Sequence, residues 1–135
     1  AGLVEGNYTG LSGSNNYNST MTNSLRSRIS QGLWSSVYRV IGDEGVTTPF
    51  FSAPNQNTLQ FGGYRSSGSA YNPILTPEEA WNIDTKMDDG KPARGKLFAV
   101  NYLTCTTATA FDQLDSEYLL TSSSLACALV FYGAY

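Results

Sequence analysis

No histidine occurs anywhere in the 135 residues, which removes the commonest general base and the commonest transition-metal ligand together. Ser-His-Asp triads and zinc centres are poor readings from the start. Charge is scarce as well: Asp, Glu, Lys and Arg make up 14% of the chain and leave a net charge of -3. The basic residues are scattered, so no basic stripe exists to neutralise a phosphate backbone, and nucleic acid is not an expected partner. No apolar run is long enough to span a bilayer, and no membrane contact by the chain itself is expected. Cys105 and Cys127 are the only cysteines, too far apart for a Cys-x-x-Cys redox or zinc pair. Two readings stand for them. One is a structural disulfide closing a loop of about 23 residues, worth about 3 kcal/mol in the chain-entropy account and implying an oxidising compartment. The other is a pair of free buried thiols acting as small hydrophobes.

What is present is Ser, Thr, Asn and Gly in quantity, with aromatics at 13%. That mixture favours strands and polar loops over a helical bundle, and the length suits one domain spanning 1–135. The opening Ala1-Gly2-Leu3-Val4-Glu5-Gly6 has neither a Met nor a charged region before an apolar one. It is expected to follow an upstream segment lost by processing or truncation, or to pair with a separate polypeptide.

Residues 1–31 read mostly as loop, because Asn7 to Asn23 holds hardly an aliphatic side chain and is expected to be exposed. Residues 32–64 read as a strand hairpin. In Gly32 to Gly45, Leu33, Val37 and Ile41 fit a helix, whereas Trp34, Tyr38 and Val40 fit a strand; Gly32 and the turn at 42–45 favour the strand. A second strand is expected over Thr58 to Tyr64. Residues 76–89 read as a helix running from about 77 to about 88: Thr76 is the N-cap, Pro77 takes the first helical position and Glu79 completes a capping box. Ala80, Ile83 and Met87 share one face, and Gly90 followed by Pro92 is a stop signal. Residues 95–135 read as C-terminal strands. In Gly95 to Leu103, Phe98, Val100 and Tyr102 share a face; the last segment from Leu125 is almost continuously apolar, as in a central or doubly covered strand. Its apolar surface exceeds what the rest of the chain offers to cover it, so an external element is expected to pack there. The fold class is α+β, an antiparallel sheet of about four strands with one short helix.

The chemistry-bearing feature is the acidic end of that helix. Asp84 and Asp88 are four apart and lie on one helical face, Asp89 follows, and the macrodipole disfavours anions at a helix C-terminus. A compensating cation is expected. Three readings follow: a solvated helix stop whose carboxylates pair with Lys86, Lys91, Arg94 or Lys96; a calcium site on Asp84, Asp88 and Asp89, although the spacing matches an EF-hand loop poorly; or an acid-base pair, which would need a cleft that neighbouring positions on one helix rarely make. Elsewhere, Trp34, Trp81 and the tyrosines offer stacking surfaces but more often belong to cores. Gly10 to Asn16 lacks the Lys of a phosphate cradle, and Asn7 and Asn18 are formal glycosylation acceptors.

The stretch "PEEAWNIDTKMDDGKPARGKLFAV", then "LTC" and the closing "CALVF", resembles the C-terminal half of bacterial type IV pilins and type II secretion pseudopilins. The closest in kind carry "A-x-x-I-D-x-K-x-D-D-G-x-P-x-x-G-x-V" before a closing strand; "AGLVEGNYTG" is similar to the point where their helical region gives way to the sheet. The resemblance implies a non-enzymatic structural subunit of a pilus or secretion pseudopilus. Its partners would be other pilin-like subunits, and its location extracellular, at the cell surface, or periplasmic. It implies a hydrophobic N-terminal helix, absent from this sequence, lying on the sheet, and it agrees with a disulfide between Cys105 and Cys127. Some members hold calcium in a C-terminal loop, but those ligands do not map onto this sequence, so no resident cofactor is expected. The alternative from another class is a secreted carbohydrate-binding or adhesin module with a calcium-stabilised acidic turn.

Overall fold

The computed structural model describes residues 19–39, 49–52, 56–66 and 68–133. The expected exposed loop up to Asn18, its Gly-rich segment, both glycosylation acceptors and the turn at 42–45 lie outside them.

β-branched and aromatic side chains among small polar ones favour strand at β2 (Leu33–Arg39) and β3 (Gln56–Gly62), two antiparallel seven-residue strands paired along their whole length. The expected hairpin is therefore present, with its second strand starting two residues early and ending two early. A two-residue strand, β1 (Leu25–Arg26), pairs with the start of β2 and lies within the stretch read as loop. Ser19 is loop as expected but buried rather than exposed, and its N–H bonds the carbonyl of Gly68 at 2.9 Å.

The helix α1 (Pro77–Met87) is followed by β4 (Leu97–Val100), a short helix α2 (Tyr102–Cys105) and β5 (Ala128–Tyr132). The sheet is antiparallel throughout, in the order β1-β2-β3-β5-β4. Among the described residues it has five strands where about four were expected, and α2 is a second helix. The last strand in the chain thus sits between β3 and β4, and like β4 it is almost continuously apolar because both of its faces are buried.

Three expectations need correction here. Tyr102 does not continue the strand face of Phe98 and Val100: Asn101 takes a left-handed conformation (φ 65°), which Asn tolerates better than most residues, and the chain turns into α2. Leu125 does not belong to the last strand and is 62% exposed; Cys127 makes only an isolated bridge to Leu75 before β5 begins. Finally, β5 does not await an external cover: Ala128, Leu129, Val130 and Tyr132 are all buried within this chain, and Phe131 is half-buried. The register brings Trp34, Phe61, Leu129 and Ala99 onto one face and Gln60, Val130 and Phe98 onto the other. Aromatic contacts knit both faces, Trp34 to Phe61 at 4.7 Å and Phe98 to Tyr132 at 4.7 Å between ring centroids.

Cys105 and Cys127 form a disulfide, with Cα atoms 5.0 Å apart, and both are fully buried. It ties α2 to the entry of β5. Among the described residues no helix is long and apolar enough to cross a membrane.

Candidate functional site

The start of α1 is built as the sequence dictates. Thr76 Oγ1 accepts from the N–H of Glu79 at 3.2 Å, and the Glu79 carboxylate accepts from the N–H of Thr76 at 2.8 Å. This reciprocal cap satisfies two of the helix's orphan donors and fixes where each later residue points. The buried side of the helix is then Pro77, Ala80 and Asp84. Ile83 is half-buried, and Met87, expected to share the apolar face, is 65% exposed. A carboxylate occupies the inward position in the last turn.

Burial of an unpaired carboxylate is costly, so the partners of Asp84 decide what it is. Its Oδ2 accepts from the Tyr118 hydroxyl at 2.8 Å and its Oδ1 accepts from the N–H of Gly90 at 3.1 Å. No cation faces it. Burial raises its pKa from 3.8 to about 6, the two hydrogen bonds oppose that rise, and the charges of Asp89 and Asp88 add to it. The Tyr118 hydroxyl is pushed upward in turn, first by burial and then by the Asp84 carboxylate.

The other two carboxylates also hold backbone. Asp88 caps α1, its N–H bonding the carbonyl of Asp84 at 2.6 Å, while its Oδ2 accepts from the N–H of Leu97 at 2.9 Å and from the N–H of Lys96. That clasp starts β4. It also requires Gly95: the residue has φ 71°, and a Cβ there would lie 2.0 Å from Asp88 Oδ2. Asp89 Oδ1 accepts from the N–H of Lys91 at 2.8 Å, the local turn that Asp favours, and Gly90 follows the helix with φ 73°, the expected left-handed stop.

Two of the four cations expected to neutralise this end are spent elsewhere. Lys91 pairs with Glu117 and Arg94 with Asp115, and among the described residues Lys86 and Lys96 pair with none of the three aspartates. The carboxylates of the stop are thus held by backbone N–H donors and one phenol rather than by cations. The two ion pairs, with Tyr118, instead fasten the segment before β4 to the loop that follows α2. Tyr118 bridges to Thr106, and Leu119 N–H bonds the carbonyl of Cys105 at 2.9 Å, so the acidic turn is continuous with the disulfide. Tyr118 is the member of the site that sequence reading missed. It lies 34 residues from Asp84, and nothing local to "DSEYLL" signals the contact.

Chemically the cluster offers three carboxylate ligand atoms within 4.8 Å of one another. Calcium takes about six to eight oxygens, and each of these carboxylates already serves the backbone. An acid-base pair fits less well. Neither the groove beside β2 nor the polar cleft of the 107–116 loop is lined by any of the three aspartates, and Asp84 is fully occluded. No protein-family model matches the chain, and neither a curated protein nor a solved structure matches it.

Proposed function

We propose that this chain is the globular part of a structural subunit of an extracellular or periplasmic type IV pilus-like filament or secretion pseudopilus, without catalytic activity. One observation supports the reading most: the whole stretch that carries the pilin resemblance is used as scaffold. The capped α1, the carboxylate clasps on Gly90, Lys91, Lys96 and Leu97, and the link through Tyr118 to the disulfide each spend these side chains on holding backbone. A buried disulfide suits an oxidising compartment, in keeping with a location at the cell surface or in the periplasm. In this reading subunits join through a hydrophobic helix supplied with or beside this chain. In this reading the acidic residues serve backbone N–H groups and Tyr118, whereas the calcium-dependent adhesin assigns them to an ion. Negative-stain imaging of native material with an antibody against this domain tests the proposal. Labelled filaments are expected, and a protein found only as free monomer, also when supplied with a helix-bearing partner, would overturn it.

A further inference from the structure

We infer that the groove beside β2 is a binding site for an acidic saccharide, a ligand with one carboxylate among many hydroxyls. The groove has a volume of about 650 Å³, in the range of small-molecule sites. Its walls are tied together: the Ser19 N–H bonds the Gly68 carbonyl at 2.9 Å, and the Ala70 N–H bonds Ser35 Oγ at 3.0 Å. The site is therefore held open by the same hydrogen bonds that join the turn before β1 and the loop after β3 to the sheet.

Three features select the ligand. Trp34 is anchored against Phe61 and Phe131, at 4.7 and 5.5 Å between ring centroids, and its half-buried ring lines the groove, a surface on which the apolar face of a sugar packs. The Arg65 guanidinium stands 3.8 Å from the centroid of the Tyr71 ring, a cation-π contact that orders the side chain without neutralising it. Among the described residues it has no carboxylate partner, and no Asp or Glu lines the groove, although the chain as a whole carries a charge of -3. The remaining lining is rich in hydroxyl and amide groups, Ser69 among them, suited to the hydroxyls of a sugar. One fork-shaped cation matches one carboxylate; a fatty acid would need more apolar wall, and a nucleotide more positive charge.

This inference rests on the groove alone and stands whether or not the chain enters a filament. The test is titration calorimetry of the disulfide-intact chain with a galacturonic acid tetramer and with the neutral galactose tetramer, while amide shifts of Trp34, Ser69 and Tyr71 are followed by NMR. The acidic tetramer is expected to bind about tenfold or more tightly than the neutral one, with shifts confined to the groove. Arg65→Gln is expected to remove that preference, and Ser69→Asp, which places a carboxylate in the groove, to weaken the acidic ligand by a similar factor, both with unchanged thermal melts. Absence of binding at millimolar tetramer, equal binding of the two tetramers, shifts outside the groove, or an unaltered preference in Arg65→Gln would each overturn the assignment.

Discussion

Replacing Asp84 by Asn isolates the energetic character of the acidic turn. The folded chain holds this carboxylate at a pKa of about 6 against 3.8 for the ordinary group, so folding takes up a proton between those values. The folded state binds more protons than the unfolded one there, and the contribution of Asp84 to stability falls as pH rises through that window. Above it, the cost of keeping the buried group ionised reaches about 3 kcal/mol, with each tenfold in proton affinity worth about 1.4 kcal/mol. Asn has the same shape, keeps an oxygen for the Gly90 N–H, and offers an amide that the Tyr118 oxygen accepts when its hydroxyl turns away. It cannot titrate. Urea unfolding of both proteins, disulfide intact, followed by tryptophan fluorescence from pH 3.5 to 7.5, reads the difference directly. At the acid end the variant is expected to be equal to or slightly less stable than the parent; by pH 7 the difference should have moved about 3 kcal/mol in its favour. A difference that is flat with pH, or that moves the other way, would refute burial as the dominant influence on Asp84.

Gly95→Ala forces a methyl into the Asp88 carboxylate in a left-handed backbone conformation and is expected to cost about 2 kcal/mol or more; combining it with Asp88→Ala should recover part of that loss in thermal melts. Replacing both cysteines by serine should lower stability by about 3 kcal/mol, read as a lower urea midpoint with a somewhat steeper slope, because the unlinked unfolded chain exposes more surface. Thr76→Ala removes one half of the capping box and should cost about 1 kcal/mol, with α1 fraying first in hydrogen exchange. Calcium calorimetry should show no heat at millimolar ion; saturable heat abolished in Asp88→Asn would establish the metal reading instead.

Much of α1 is legible because its determinants are neighbours in sequence. Thr76, Pro77 and Glu79 set the start, and Asp89, Gly90 and Pro92 set the stop, through contacts within a few residues. The β2–β3 pairing is legible more coarsely: strand-forming residues between turn signals mark each strand, while the sixteen residues between them leave the register to the tertiary structure. The acidic site is legible only as a cluster. Spacing places Asp84, Asp88 and Asp89 together, but it reads the charge balance wrongly because the backbone N–H donors at Gly90 and at the start of β4, and a tyrosine far along the chain, are not visible in a helical wheel.

By itself, then, the sequence determined the class of fold, the capped helix, the candidate cysteine pair and the lack of histidine chemistry, all of which depend on composition or on short-range backbone geometry. Tertiary structure alone decided that Asp84 rather than Met87 turns inward, that Asn101 ends β4, that Lys91 and Arg94 serve Glu117 and Asp115, and that the last strand enters the middle of the sheet. Those outcomes rest on which distant surfaces meet, and the free energy of burying a carboxylate or pairing a strand is settled by the partner it finds there.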